Sequence, residues 1–373
     1  VKQIAPYQIF FPLGLFSAIS AVSIWFVKDL GLFLTPAFWI HSRLMMGGFL
    51  WSFITGFLMT AVPRMTGTAS ANRFEYVLAL GCLVSQIIGA WILDGRWFYG
   101  SSMALTLFLV FYAGRRIVRS KKPIPIFFSH VGIAIVLAFL GALYDFRGDS
   151  YMALHLYYVG SVLVLILGLG TRFFSYLSGL PSDFESETRK SVRLSFHALG
   201  CLTALLLFLA GNGHSLAYLG LAVITTLYLF FVWKVQRPSA RPSALKITVR
   251  VAALMIPGCF ILCWLLPLMF ITWFHFLFIG CFALMTLSVA TRVTLAHGSY
   301  PIDLEMKSPA LWWFAFWMAL ALISRTLYPF TSGLYQKSFL HLAATFWIFA
   351  ILSWSLSYFI KILKSGSKDP SSC

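Results

Sequence analysis

Long apolar runs separated by short polar breaks dominate the chain. At roughly 20 residues per crossing, they predict about twelve membrane-spanning helices, near 9–28, 37–62, 75–93, 98–117, 124–144, 151–174, 191–211, 214–234, 248–269, 271–293, 309–328 and 338–362. The fold class is all-α, one polytopic transmembrane domain over 1–364, followed by a polar tail, 365–373, that reads as disordered. Val1-Lys2 leads through Pro6 straight into an apolar span, so no cleavable signal segment is expected.

The polar breaks carry an asymmetry of charge. Arg115, Arg116, Arg119, Lys121 and Lys122 follow the fourth run, Arg189, Lys190 and Arg193 the sixth, Lys234, Arg237, Arg241, Lys246 and Arg250 the eighth, and Lys361, Lys364 and Lys368 the last. The alternate breaks are poor in base or balanced by acid, as in Lys28 with Asp29, Asp94 with Arg96, and Asp145 and Asp149 with Arg147. Cytoplasmic loops collect lysine and arginine, so both termini are expected to be cytoplasmic. Arg325 and Lys337 run against the trend.

An internal repeat runs through the apolar pattern. His155–Arg172 reads HLYYVGSVLVLILGLGTR and His275–Arg292 reads HFLFIGCFALMTLSVATR; a looser copy runs from His41 to Arg64. The three histidines are 114 and 120 residues apart, which suggests three four-helix units in a pseudo-threefold arrangement. Each opens a span that starts on the outer side, and His341 shares that level. At 1.5 Å per residue all four lie about one or two turns below the outer surface. His130, His197 and His297 fall on the cytoplasmic half.

Composition settles the class. The chain is 60% apolar, 17% aromatic and 10% charged, against about 25% charge in soluble domains. The net charge of +17 therefore reports loops facing anionic lipid, not nucleic-acid binding. Six cysteines are scattered, several inside apolar spans, and read as small core residues without a disulfide framework. The acids lie in loops or at span ends, such as Glu75, Asp94, Asp145 and Glu305. Proton pumps place acids inside the membrane, so proton pumping is not expected.

Histidines held at one depth inside a membrane are a cofactor site by default. Facing imidazoles can hold a haem iron axially, and imidazole also suits copper. Gly47, Gly48, Gly160 and Gly280 follow the repeat histidines and could admit a flat group, although close helix packing explains them more simply. Arg64, Arg172 and Arg292 need no role beyond anchoring at the cytoplasmic boundary. His197 and His297 read as interfacial or core residues satisfied by neighbours.

The run Gly56-Phe57-Leu58-Met59-Thr60-Ala61-Val62-Pro63, with Thr66-Gly67, resembles the NnrS family, as do His275, Gly280, Thr291-Arg292 and His297. The resemblance spans nearly the whole chain. It implies a bacterial inner-membrane protein that holds haem and copper and is linked to nitric oxide metabolism and nitrosative stress. The family's helix-two motif has two histidines and a glutamate; here His41 remains, with Arg43 and Leu44 in the other places. A more distant likeness is to subunit I of haem–copper oxidases, whose low-spin haem is held from helices two and ten, here the spans of His41 and His275. Trp273 stands where that family ligates its second haem, and the outer-level histidine pair of helix seven is missing. Oxygen reduction is not expected.

Two readings follow. In the first, His41 and His275 are axial ligands of a b-type haem, and His155 with His341 form a second metal position, copper by preference. The task is then electron transfer, with a redox partner or other membrane subunits, or the handling of nitric oxide. In the second, the chain is a cofactor-free structural subunit or transporter on the same fold.

Overall fold

A computed structural model describes residues 4–30, 34–178, 189–238, 243–301 and 303–364. The tail at 365–373, with Lys368, and Arg241 lie outside them. The chain is helical throughout its regular structure: α1 (Pro6–Val27), α2 (Ala37–Thr66), α3 (Arg73–Gly89), α4 (Arg96–Val118), α5 (Phe128–Phe146), α6 (Ser150–Phe174), α7 (Lys190–Gly211), α8 (Leu216–Val232), α9 (Ala244–Leu265), α10 (Pro267–His297), α11 (Asp303–Lys307), α12 (Pro309–Phe330) and α13 (Gly333–Lys364). A helix stands at each of the twelve apolar runs. Among the described residues, ten helices are long and apolar enough to cross a membrane, fewer than the twelve expected. The shortfall is one of length. The 17 residues of α3 rise about 25 Å against a hydrocarbon core of about 30 Å, and α8 is likewise short.

Local chemistry sets the helix ends. Pro6 occupies the first position of α1, where its missing N–H costs no hydrogen bond. Asn72 and Glu75 open α3 with a reciprocal capping box, each side chain accepting from the other's backbone N–H at 2.9 Å. Gly67, at φ +64°, stops α2 in the left-handed conformation.

Contacts divide the chain into two compact units. The first comprises Val1–Ile124, Val289–Ala321 and Lys337–Cys373. Here α1 lies along α2, with Phe11 stacked on Phe53 at 4.6 Å, and Trp347 of α13 donates to the Ala18 carbonyl. The second comprises Pro125–Ser288 and Leu322–Gln336. In it α5 and α6 approach until a methyl on Gly141 would lie 2.4 Å from the Tyr157 amide nitrogen.

One feature was invisible in the periodicity. The hydrogen bonding of α2, α6 and α10 widens into π-segments at Leu44–Leu50, Leu154–Gly160 and Phe278–Ala283. Each is beside the histidine of its repeat. A further π-segment, Tyr228–Val232, ends α8. π-Bulges gather at functional sites, so the backbone marks the same three places as the sequence repeat.

Candidate functional site

In the first unit, His41 and His341 both rest on the end of α1. The His41 Nδ1 lies 2.9 Å from the Ala21 carbonyl oxygen, and its ring packs on Trp25 with centroids 5.3 Å apart. A carbonyl only accepts, so this Nδ1 carries the proton and the lone pair is on Nε2. His341 has the reverse polarity: Nε2 lies 3.1 Å from the Trp25 carbonyl, so the lone pair is on Nδ1. Trp25 is in the last turn of α1, whose carbonyls have no helical partner. His341 therefore also caps a helix end.

In the second unit, His155 and His275 share one device. Each Nδ1 donates to the carbonyl four residues back on its own helix, Tyr151 at 2.9 Å and Ile271 at 2.7 Å. Both lone pairs are then on Nε2, and their partners differ. His155 is fully buried and accepts from the Tyr218 hydroxyl at 2.7 Å. His275 is half-buried, and the Arg325 Nε donates to its Nε2 at 3.2 Å. The His155 ring packs against Phe274, the residue before His275, with centroids 5.6 Å apart.

A second group in this unit escaped the sequence reading. The Tyr228 hydroxyl is hydrogen-bonded to His130 Nε2. Ser129 Oγ lies 3.3 Å from His130 Nδ1 and 2.7 Å from His197 Nδ1. Tyr228 and His130 are fully buried, and His197 is half-exposed. The result is a line of exchangeable protons from a buried phenol toward the surface. His130 fits because Gly168 and Gly200 flank it; a methyl on either would come within 2.4 Å and 2.9 Å of its side chain. Tyr218 and Tyr228 are hydroxyls on an apolar helix without periodic signature; their meaning comes from partners over 60 residues away in sequence. Replacing Tyr228 by phenylalanine leaves His130 Nε2 buried without that partner. The expected loss is about 1–3 kcal/mol, read as a lower melting temperature in detergent; an unchanged melt would mean that the bond contributes nothing net.

Other expectations are corrected or filled in. Arg292 is not an exposed anchor: it is buried and paired with Glu305 of α11, while its neighbour Thr291 accepts from the Trp354 indole at 2.8 Å. Arg64 is exposed, as an anchor would be. Gly47 and Gly48 face Phe98 and Ser17 at packing distance, so they serve close approach of helices. Among the described residues, no three His, Cys, Asp or Glu side chains gather to hold a metal, and five cysteines are free thiols.

His41, His155 and His275, each at a π-segment, stand in a sequence that the family described as NnrS protein matches over residues 4–365. The chain belongs to the NnrS family. No curated protein matches it. The run from Gly56 to Pro63, which carried the NnrS resemblance, is buried packing on α2. Gly56 faces Phe10 and Phe11, Thr60 Oγ1 donates to the Gly56 carbonyl and accepts from the Tyr7 amide, and the Tyr112 hydroxyl donates to the Met59 carbonyl at 2.7 Å. Where the NnrS motif has its second helix-two histidine, Arg43 lies buried among Trp39, Phe98 and Tyr99, with Nη1 donating to the Ile92 carbonyl at 2.9 Å. Trp273 is 5% exposed and donates to the Leu266 carbonyl.

Proposed function

We propose that this NnrS protein holds a b-type haem through His41 and His275 near the periplasmic face of a bacterial inner membrane, and that its task is electron transfer within a membrane complex. The observation that carries the reading is the orientation of the two rings. Metal-ligating histidines donate their other ring N–H to a carbonyl or carboxylate, which fixes the tautomer and raises ligand basicity. His41 and His275 each donate from Nδ1 to a main-chain carbonyl, at 2.9 and 2.7 Å, so each has an Nε2 lone pair of the kind iron takes. Each ring, taken by itself, has the donor that haem iron takes. Haem supplies one-electron chemistry; the chain orients both imidazoles, and Trp25 and Phe278 wall their faces and edges. Both termini cytoplasmic and a pseudo-threefold set of four-helix units complete the proposal, and they rest on the charge bias and the repeat.

One observation favours nitric oxide handling as the second reading. Arg325 donates to the same His275 nitrogen that would bind iron. Iron held by His41 alone would keep a position open for a diatomic gas. Copper at His155, with His341, is the third element of the proposal; it requires the Tyr218 hydroxyl to leave Nε2.

The test is a reduced-minus-oxidised spectrum with a pyridine haemochrome assay on the purified protein, His41→Ala and His275→Ala. A sharp low-spin b-type band lost in both variants is the expected result. A broad high-spin band that survives His275→Ala and shifts with nitric oxide supports gas binding. Colourless protein from a haem-replete host overturns both and leaves a structural subunit or transporter.

A further inference from the structure

Arg325 is the arginine that runs against the charge bias of the chain. It lies near the end of α12, in the stretch belonging to the second unit. A guanidinium stays charged at any pH the protein meets and offers five N–H donors. Here Nε donates to His275 Nε2 at 3.2 Å, and the cation packs on the Tyr328 ring at 4.9 Å. Its Nη1 is buried and meets no acceptor. Neither ion pair seen among the described residues involves it; those belong to Arg116 with Glu75 and Arg292 with Glu305.

Arg325 is half-buried; a cation drawn away from water without an anion is costly, and an orphaned buried donor adds to the cost. The contrast with Arg116 and Arg292 is direct: each of those buried arginines has a carboxylate, whereas Arg325, like the buried Arg43, keeps a nitrogen without an acceptor. The partner Arg325 lacks is an anion with oxygen acceptors, beside the Nε2 of His275. Iron and Arg325 also compete for one lone pair, so a metal can take His275 only if Arg325 finds another acceptor.

We propose that Arg325 is the receiving group for a haem carboxylate: it caps His275 Nε2 in the haem-free protein and moves to the carboxylate when that nitrogen binds iron. This rests on the axial role given to His275 above. The ligand supplies what each group needs, an electrophilic metal for the imidazole and an anionic edge for the guanidinium. Arg325 acts by positioning, and charge-assisted pairs of this kind are the strong ones.

The experiment reconstitutes purified full-length protein with haem b and, separately, with its dimethyl ester, which keeps the iron and macrocycle but lacks the anions. Wild type, Arg325→Gln, Arg325→Lys and His275→Ala are compared by the Soret titration and by the rate of haem loss to apomyoglobin. Wild type is expected to hold haem b about tenfold or more tighter than the diester. Arg325→Gln is expected to lose that preference, and Arg325→Lys to keep part of it. Equal affinity of wild type for the two haems overturns the proposal while leaving the axial reading intact, provided that His275→Ala loses the low-spin band. Tighter haem b binding by Arg325→Gln overturns it as well, since Arg325 would then be a competitor only. Failure of wild type to bind either haem removes the axial reading and this proposal together.

Discussion

Glu75→Ala is expected to destabilise the detergent-solubilised protein by about 3–5 kcal/mol, the cost of stranding one member of a buried ion pair. Arg116 and Glu75 form a bidentate fork with both N–O distances 2.9 Å, and both residues are less than a tenth exposed. The guanidinium also lies over Tyr112, 3.6 Å from the ring centre, and donates to the carbonyls of Ala69, Ser70 and Tyr112. Removing the carboxylate leaves this cation embedded and takes away half of the capping box that starts α3. A denaturant titration followed by circular dichroism reads the loss. The double replacement Glu75→Leu with Arg116→Met removes both charges and is expected to recover most of it, because an apolar pair of similar volume avoids the desolvation penalty. A single variant that unfolds with wild type would show that the pair contributes nothing.

Gly141→Ala is expected to be the second severe change. The added methyl would lie 2.4 Å from the Tyr157 amide nitrogen and 2.9 Å from its Cα. The obstacle is main chain, which cannot rotate away, so α5 and α6 must move apart. Overpacking of this kind costs about 1–3 kcal/mol, sometimes more. Gly132→Ala, also on α5, is the control: a methyl there meets nothing within 4 Å, and removing a helical glycine is expected to be neutral or slightly stabilising. Melting curves of the two variants check the contrast; equal melting temperatures would mean that the helices yield at little cost.

The apolar runs made the helices legible, because length and hydropathy suffice where the solvent is lipid. They overstated the lengths at α3 and α8, which end at Gly89 and Val232, short of the ends that the runs 75–93 and 214–234 implied. The repeat histidines were legible by spacing, and the structure adds the carbonyls that fix their tautomers. What remained hidden was partnership. Tyr218 and Tyr228 are ordinary aromatic residues in a chain rich in them, until His155 and His130 are brought alongside. Arg292 looked like one more boundary arginine, because its partner Glu305 sits on a five-residue helix beyond a polar break. Arg325 gave a signal, as one of two exceptions to a charge rule, whose meaning needed His275 beside it.

The π-segment of α6 also sets a phase. An α-helix turns about 100° per residue, and a π-turn accommodates one residue more than an α-turn does. The half of α6 beyond Gly160 is thus rotated by about that angle from where an unbroken α-helix would put it. At the opening of the bulge the helix offers His155 to Tyr218 of α8; beyond it, Gly168 faces His130 of α5. Deleting one residue between Leu156 and Gly160 would restore a regular helix and swing one of these faces away from its neighbour, though every side chain in both contacts were kept. The two histidine–tyrosine pairs are, in that sense, clocked by a single inserted residue.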